Sequence, residues 1–329
     1  MTDNNLGLTE TEKIEKKKSE KISWIKRIFN IPNLLFILIW ISFLFPSKYA
    51  EEMRAGLSDF KAFGAVLIFM EILFLSRNGN VKRHRAQKDI FTFLYAFLLI
   101  WEVGVSRLNL LPYAFIPAPE NVFYVFVDDY QTILEGLGSS MTLILLGIVL
   151  ALVFAVVLGT LVGWVPRLRN AVYPIVKAIA TVPPLIYTSY VVLIMPTFFT
   201  ASLTVVFLSI FWGSFMGSIN NTAFVEKRII NSAKVLNMNT PSILFKIIIP
   251  FNMPRILNNL PINLSTALMT LTTAEMLGGT GGMGYYVKIA LTYANYNKAI
   301  AGIIFIGVVV TILNIFIDLL KKKFVAWEY

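Results

Sequence analysis

The 329-residue chain contains no cysteine and a single histidine, His84. Without thiols it forms neither disulfides nor thiolate-bound metal or iron–sulfur centres. His84 lies among basic residues in the stretch NVKRHRAQKD, which is typical of a solvated loop and not of a metal site. These absences leave no hydrolytic triad and no metal centre to assemble, so we predict no catalytic residues, no metal and no cofactor.

Charged residues are also few in this chain. They make up 15% of the sequence, while 57% of the residues are hydrophobic and the mean hydropathy is +0.70. This balance lies outside the range of soluble globular domains and predicts an integral membrane protein. The net charge of +10 is therefore interpreted as a topology signal, and no nucleic-acid partner is predicted.

Eight apolar segments are predicted to cross the membrane as helices, each of which needs roughly 20 residues. The clearest of them, 140–165, carries no charge. The pattern predicts an all-α membrane protein behind a polar cytoplasmic tail at 1–27. The segments lie at about 29–46, 60–76, 90–105, 140–165, 172–195, 201–222, 254–276 and 299–320.

The positive residues set the predicted orientation. With the N-terminus in the cytoplasm, 23 of the 29 Lys and Arg residues lie on the cytoplasmic side, and the other six lie outside. Cytoplasmic loops of membrane proteins are enriched in Lys and Arg. The bias therefore predicts a multi-pass protein of the cell membrane with cytoplasmic N- and C-termini.

The stretch GGTGGMG at 278–284 contains a literal match to the G-x-G-x-x-G fingerprint of dinucleotide-binding proteins. That fingerprint requires a strand before a helix N-terminus and an acidic residue about 20 positions later. Here a spanning helix precedes the glycines, and no acidic residue occurs between Glu275 and Asp318. We therefore exclude a nucleotide site and predict an outer gate or hinge, because glycine reaches positive φ at no steric cost. Its residues are Glu275, Gly279, Gly281, Gly282 and Gly284.

A cytoplasmic connection at 221–257 is the longest after the tail and has the pattern of a docking element. Its apolar residues recur at helical spacing on both sides of NMNTPS, which predicts two short helices. Asn237, between them, is predicted to adopt the left-handed conformation that ends a helix, a role open to Gly and Asn.

Prolines interrupt the fifth span in the stretch ATVPPLIYTSYVVLIMP. Because proline removes a backbone donor, such a kink is tolerated in a membrane only where protein or water satisfies the freed carbonyls. Two interpretations remain open, a bent helix that lines a pathway and a kink that only shapes packing. The pathway candidates are Pro183, Pro184, Tyr187, Thr188, Ser189 and Tyr190.

Two further patterns concern contacts inside the membrane. Gly159 and Gly163 form G-x-x-x-G in the fourth span, which predicts close packing against another helix of the same chain. Glu71, Glu102 and Glu275 fall within predicted spans, where a carboxylate needs a partner or water.

The loop at 224–250 resembles the cytoplasmic signature of permease subunits of ATP-binding-cassette (ABC) importers. That signature reads E-A-A, three residues, G, nine residues, I-x-L-P, and this chain keeps the spacing with Asn for Glu, Ser for Ala, Asn for Gly and Ile for Leu. Other stretches after residue 90, such as TAEMLGGTGGMGYYV, are similar in order to permeases of the nitrate, taurine and sulfonate branch. The matching loop residues are Asn231, Ser232, Ala233, Asn237, Ile247, Ile249 and Pro250.

The resemblance implies a type I ABC importer permease core of six transmembrane helices at 90–329. Two additional N-terminal transmembrane helices and a basic cytoplasmic loop at 28–89 precede it. Such a permease moves a small solute by alternating access, here an organic anion such as a sulfonate, nitrate, or a vitamin-like compound.

The resemblance also implies the partners of the chain. In such permeases the loop docks into a groove of the ATPase, so Ser232, Ala233, Leu236 and Asn237 would contact that partner and Pro250 would end the second helix. The implied partners are cytoplasmic ABC ATPase subunits, an extracellular or periplasmic substrate-binding protein, a second identical permease copy and membrane lipid.

Two other function classes compete with this interpretation. A secondary transporter or channel acts without an ATPase and transports as the purified chain alone. For the second class, an intramembrane enzyme, this chain lacks the catalytic residues. Because the chain has no G-x-x-x-x-G-K-[ST] loop, ATP hydrolysis would belong to a partner subunit, and the chain is predicted not to be an enzyme.

Overall fold

The computed structural model describes residues 30–48, 60–76, 81–110 and 115–324, and every regular element within them is helical. This confirms the prediction of an all-α protein for those residues. The predicted tail at 1–27 lies outside the described residues, as do parts of the loops at 48–61 and 77–88. By internal contacts the chain forms two units, 1–128 and 129–329. The domain boundary predicted at residue 90 rests on sequence resemblance and stays a prediction.

The N-terminal unit packs around aromatic and branched side chains. The rings of Phe63 and Phe123 stack with their centroids 5.1 Å apart and hold the helix Lys61–Ser76 against the helix Pro119–Asp128. A π-helical turn at Glu102–Arg107 continues the helix Val81–Trp101. The described helices of this unit are α1 (Ile31–Ser42), α2 (Lys61–Ser76), α3 (Val81–Trp101) and α4 (Pro119–Asp128).

Three acidic residues in the helices of this unit, Glu71, Glu102 and Glu120, have partners. Tyr95 donates its hydroxyl hydrogen to Glu71 at 3.0 Å. Arg107 lies 2.6 Å from Glu102 and 3.0 Å from Glu120, and both carboxylates are buried. The prediction that carboxylates in the spans need partners is therefore confirmed for Glu71 and Glu102.

The C-terminal unit is built on the packing of two long helices, Tyr130–Trp164 and Phe198–Ala223, against each other. Its first elements are α5 (Tyr130–Trp164), α6 (Pro166–Ala180), α7 (Pro184–Ile194) and α8 (Phe198–Ala223). The chain continues with α9 (Lys227–Val235), α10 (Thr240–Ile243), a π turn at Leu244–Ile248 and α11 (Ile249–Asn258). It ends with α12 (Leu260–Gly278), α13 (Met283–Thr292) and α14 (Tyr296–Phe324).

Glycines allow α5 and α8 to approach closely. A Cβ added at Gly159 would lie 2.5 Å from the Cβ of Ser218, and one added at Gly163 would lie 2.7 Å from the carbonyl oxygen of Ile219. Only a residue without a side chain fits at this separation. The predicted packing of the G-x-x-x-G pair within the same chain is confirmed.

Within the part of the chain that the structure describes, four helices are long and apolar enough to cross a membrane, Ala86–Arg107, Tyr130–Trp164, Phe198–Ala223 and Tyr296–Leu319. The bent pair α6 and α7 raises the number to five if it forms one span. Of the other predicted spans, α1 and α2 have 12 and 16 described residues, and α12 has 19 residues but many polar ones. The multi-pass character is confirmed, while the count of eight spans stays a prediction.

Candidate functional site

The cap that joins the two halves of the 224–250 loop has the predicted geometry. Asn237 has a φ of +53°, in the left-handed region. Its N–H donates to the carbonyl of Lys234 at 2.9 Å, and the N–H of Met238 donates to the carbonyl of Ala233 at 3.2 Å. This pair of bonds is the Schellman arrangement that ends α9. The prediction of a left-handed Asn237 is confirmed.

The loop has a small apolar core, against which Trp164 at the end of α5 also packs. Ala233, Ile243 and Ile248 are at most 3% exposed and pack with Val225 and Leu244. Burying a large apolar side chain from water contributes about 1.5–3 kcal/mol, so these contacts fix the fold of the loop if it lies in the cytoplasm. Ala233 therefore faces its own chain and has almost no exposed surface that a partner could contact.

The outer surface of the loop carries exposed apolar side chains. Val235 and Leu236 at the end of α9 are 81% and 74% exposed, and Phe245 is 53% exposed. Some of the other predicted loop residues are exposed and some are half-buried. Asn231, Ser232, Asn237 and Pro250 are exposed, whereas Ile247 and Ile249 are half-buried.

Pro250 does not end a helix, which corrects the sequence prediction. It occupies the first turn of α11, which continues to Asn258. Proline has no N–H, and its ring would clash with the carbonyl four residues earlier. The chain accommodates it through the π turn Leu244–Ile248, which widens the helix immediately before the proline.

The prolines of the fifth span break it into two helices. The axes of α6 and α7 differ by 89°, and Pro183 and Pro184 lie at the break. Thr188 is fully buried and donates its hydroxyl hydrogen to the carbonyl of Pro184 at 2.8 Å. Tyr190 is 68% exposed. Ser189 is also exposed and Tyr187 is half-buried. The candidates thus fall on different faces of α7, and Thr188 faces inward.

A polar seam between α8 and α12 is a feature that the sequence reading missed. Asn263 donates to the Ser214 hydroxyl at 3.3 Å, and Thr270 donates to that of Ser209 at 3.3 Å. A cleft of about 220 Å³ adjoins the seam. Its polar lining comprises Ser214, Ser218, Asn221, Asn259 and Asn263, and its glycines are Gly213 and Gly217. The spacing of 259, 263, 266, 270 and 273 was the available signal, since all five are Asn or Thr on one helix face.

The predicted outer hinge is organised by the carboxylate of Glu275. Ser140 donates to Glu275 Oε1 at 2.6 Å, and the backbone N–H of Gly284 donates to Oε2 at 2.7 Å. Ser140 in turn accepts the N–H of Met283 at 2.9 Å. Glu275 is fully buried, so these bonds join α5, α12 and the N-terminus of α13. A helix N-terminus suits an anion, and here the anion is supplied by the chain itself.

The glycines of this loop differ in how much space surrounds them. Gly282 has a φ of +107°, and a Cβ there would overlap the Glu275 carboxylate. A Cβ at Gly279 or Gly284 would meet backbone atoms, whereas one at Gly281 has no atom within 4 Å. The sequence predicted these residues as a group, and the structure gives three of them a steric role.

A second polar contact ties the start of α5 to α13 and α14. Asp129 lies 2.7 Å from the Lys298 ammonium and accepts hydrogen bonds from Thr132 and Tyr286 at 2.8 and 2.9 Å. Burial alone raises the pKa of the Asp129 carboxyl, but the bonds from Lys298, Thr132 and Tyr286 outweigh it and hold that pKa below the ordinary aspartate value.

Comparison with known proteins covers most of the C-terminal unit. The family model described as "binding-protein-dependent transport system inner membrane component" matches residues 147–326, more than half of the chain. The taurine transport system permease protein of Escherichia coli (strain K12) is 27% identical over 244 residues, covering 71% of this chain and 88% of that protein.

Two further relatives share this region. The putative aliphatic sulfonates transport permease protein of Bacillus subtilis (strain 168) is 26% identical over 236 residues, 70% of this chain and 84% of that protein. The nitrate import permease protein of Synechocystis sp. (strain ATCC 27184 / PCC 6803 / Kazusa) is 26% identical over 270 residues, 75% of this chain and 96% of that protein.

Proposed function

The chain belongs to the family of binding-protein-dependent transport system inner membrane components and is a membrane permease subunit of an ABC importer, and we propose that the 224–250 loop couples it to a separate ATPase. Binding and hydrolysis of ATP in that partner move the loop. The helices of the permease then alternate between inward-open and outward-open arrangements.

The single observation that carries the coupling proposal is the exposed apolar end of α9. Val235 and Leu236 are large, apolar and more than 70% exposed on a loop predicted to lie in the cytoplasm. Polar Asn231 and Ser232 flank them on the same short helix. An exposed apolar patch with a polar rim is typical of a protein-binding surface, and a short helix in a groove is a common mode of docking. The buried contacts between the two halves of the loop support its movement as one body, and Trp164 at the end of α5 packs against them.

We place the rest of the machinery by the family resemblance and the charge bias. Both termini lie in the cytoplasm, six core helices follow residue 90, and two extra helices at 28–89 precede them. Two identical copies form the path, and an external substrate-binding protein delivers the solute to the outer loops. Apolar side chains such as Leu145, Val149 and Val153, each more than half exposed and spaced four residues apart on α5, suit contact with lipid.

The translocation path in this proposal follows the polar seam and the broken helix. Polar groups inside a membrane are expensive unless they meet protein or water, so the cleft with Ser214, Asn221, Asn259 and Asn263 suits a hydrated path. Tyr187, Ser189 and Tyr190 on α7 are kept as further lining candidates. Glu275 and the glycine loop form the outer gate.

The relatives act on taurine, aliphatic sulfonates and nitrate by their names. We propose a solute of comparable size, either a small organic or inorganic anion, a zwitterion, or a vitamin-like compound. The substrate-binding partner sets the choice among these solutes.

The experiment that tests the coupling proposal is copurification with the cognate ATPase subunit. Leu236→Glu places a charge on the apolar end of α9, and we expect it to abolish the complex. Leu110→Glu is the matched control, because Leu110 is 70% exposed but lies on the predicted outer side. A complex that survives Leu236→Glu, or solute uptake by the purified chain in liposomes without an ATPase, contradicts the proposal. The second result favours a secondary transporter or channel.

A further inference from the structure

A cavity of about 490 Å³ lies beside the glycine loop in the C-terminal unit. The start of α5, the loop itself, α13 and the start of α14 all contribute to its walls. Its volume suits a small organic molecule. The chemically distinctive lining residues are Asp129, Glu135, Tyr285, Tyr286, Tyr293 and Lys298.

The groups that would attract an anion here are already bound to carboxylates of the chain. Lys298 is the only basic residue in the described lining, and its ammonium lies 2.7 Å from Asp129. The N-terminus of α13 donates the N–H of Gly284 to Glu275. Asp129 is also the N-cap residue of α5, although its carboxylate accepts no hydrogen bond from a backbone N–H of that helix. An anionic solute would therefore have to displace an internal carboxylate to gain a positive partner.

One carboxylate in the cavity remains without a counter-charge. Glu135 is exposed, and it makes no ion pair or hydrogen bond with the described part of the chain. With Asp129 and Lys298 neutralising each other, the lining carries a net charge of one negative unit. The three tyrosine rings add surfaces that attract cations through their π electrons.

We propose that this cavity binds a cationic nitrogen group, such as an organic ammonium, of the transported solute. Glu135 supplies the opposite charge and the rings of Tyr285 and Tyr293 supply cation–π contacts. This inference rests on the proposed import function, because it takes the ligand of the cavity to be the solute. It favours a cation or a zwitterion over a simple anion.

The test is a comparison of two probes of similar size, choline and ethanesulfonate, on the purified full-length chain in maltoside micelles. Saturation-transfer NMR titrations report weak binding of either probe. We expect choline to bind more tightly than ethanesulfonate. Glu135→Gln should weaken choline binding by about three- to fivefold, the loss expected for an exposed charge contact.

Three variants make the outcome decisive. Asp318→Asn removes an exposed carboxylate at the other end of α14 and should leave choline binding unchanged. Tyr285→Leu should weaken choline binding about two- to fivefold, and Tyr285→Phe, which keeps a ring, should not. Stronger binding of ethanesulfonate, absence of choline binding, or unchanged binding in Glu135→Gln overturns the inference. None of these results alters ATPase copurification, and a failed copurification test does not alter choline binding.

Discussion

Gly284 is the glycine of the outer loop at which a small change has the clearest expected effect. A Cβ at this position would lie 2.8 Å from Cα of Thr272 and 3.0 Å from Glu275 Oε2, and it would press on the Thr272 carbonyl oxygen. Two of these atoms belong to the backbone of α12, so no side-chain rotation relieves the contact. Gly284→Ala must therefore push the start of α13 away from α12.

The expected cost follows from two contributions. Forcing a methyl group into a packed site costs about 1–3 kcal/mol. The same displacement stretches the 2.7 Å hydrogen bond from the Gly284 N–H to Glu275, and a bond to a carboxylate contributes about 1.5–3 kcal/mol. We expect Gly284→Ala to lower the free energy of unfolding by about 3 kcal/mol or more.

The assay is thermal unfolding of the purified chain, followed by tryptophan fluorescence, together with solute uptake by the assembled importer. Gly281→Ala is the matched control, because no atom lies within 4 Å of the added methyl group and its effect should stay within about 0.5 kcal/mol. Equal Tm values for Gly284→Ala and Gly281→Ala would refute the steric argument. Normal uptake by a strongly destabilised Gly284→Ala would separate the packing role of the loop from gating.

Two further predictions concern the cap and the ion pair. Asn237→Ala should destabilise the 224–250 loop by roughly 1 kcal/mol, because alanine is strained at a φ of +53°, while Asn237→Gly should be tolerated. Hydrogen–deuterium exchange of this loop measures the effect of both variants. Equal protection of the loop in the two variants contradicts the prediction. The Asp129 carboxyl has a lowered pKa in the folded chain, so its stabilising effect is complete above its ordinary value of 3.8 and is lost as the pH falls through the folded value. The difference in Tm between the wild type and Asp129→Asn should therefore persist from pH 7 down to about pH 4 and vanish only once the pH is below the lowered pKa of Asp129, and a difference that persists at still lower pH contradicts the prediction.

Local patterns predicted the local structure well. Asn237 was found because few residues other than Gly and Asn enter the left-handed region, and a helix that ends between two apolar stripes needs such a residue. The packing role of Gly159 and Gly163 was found because glycines four residues apart leave a groove on one helix face. In both cases the requirement is set by residues close in sequence.

Prediction failed where the answer depended on a neighbouring turn or a distant helix. Pro250 was expected to end a helix. The π turn before it accommodates a residue that has no backbone N–H, and the helix continues. Ala233 was expected at a partner surface, but it points into the core that the second half of the loop completes. A sequence motif gives the spacing of such residues and not the side of the helix that is covered.

The sequence by itself determined that this is an all-helical membrane protein, because apolar segments of sufficient length have few alternatives in a bilayer. It also predicted that the glycine loop binds no nucleotide, because no strand leads into it. Only the tertiary structure decided what occupies that helix N-terminus. Ser140 and Glu275 are 135 residues apart in sequence, and they form a hydrogen bond only because α5 packs against α12 and α13.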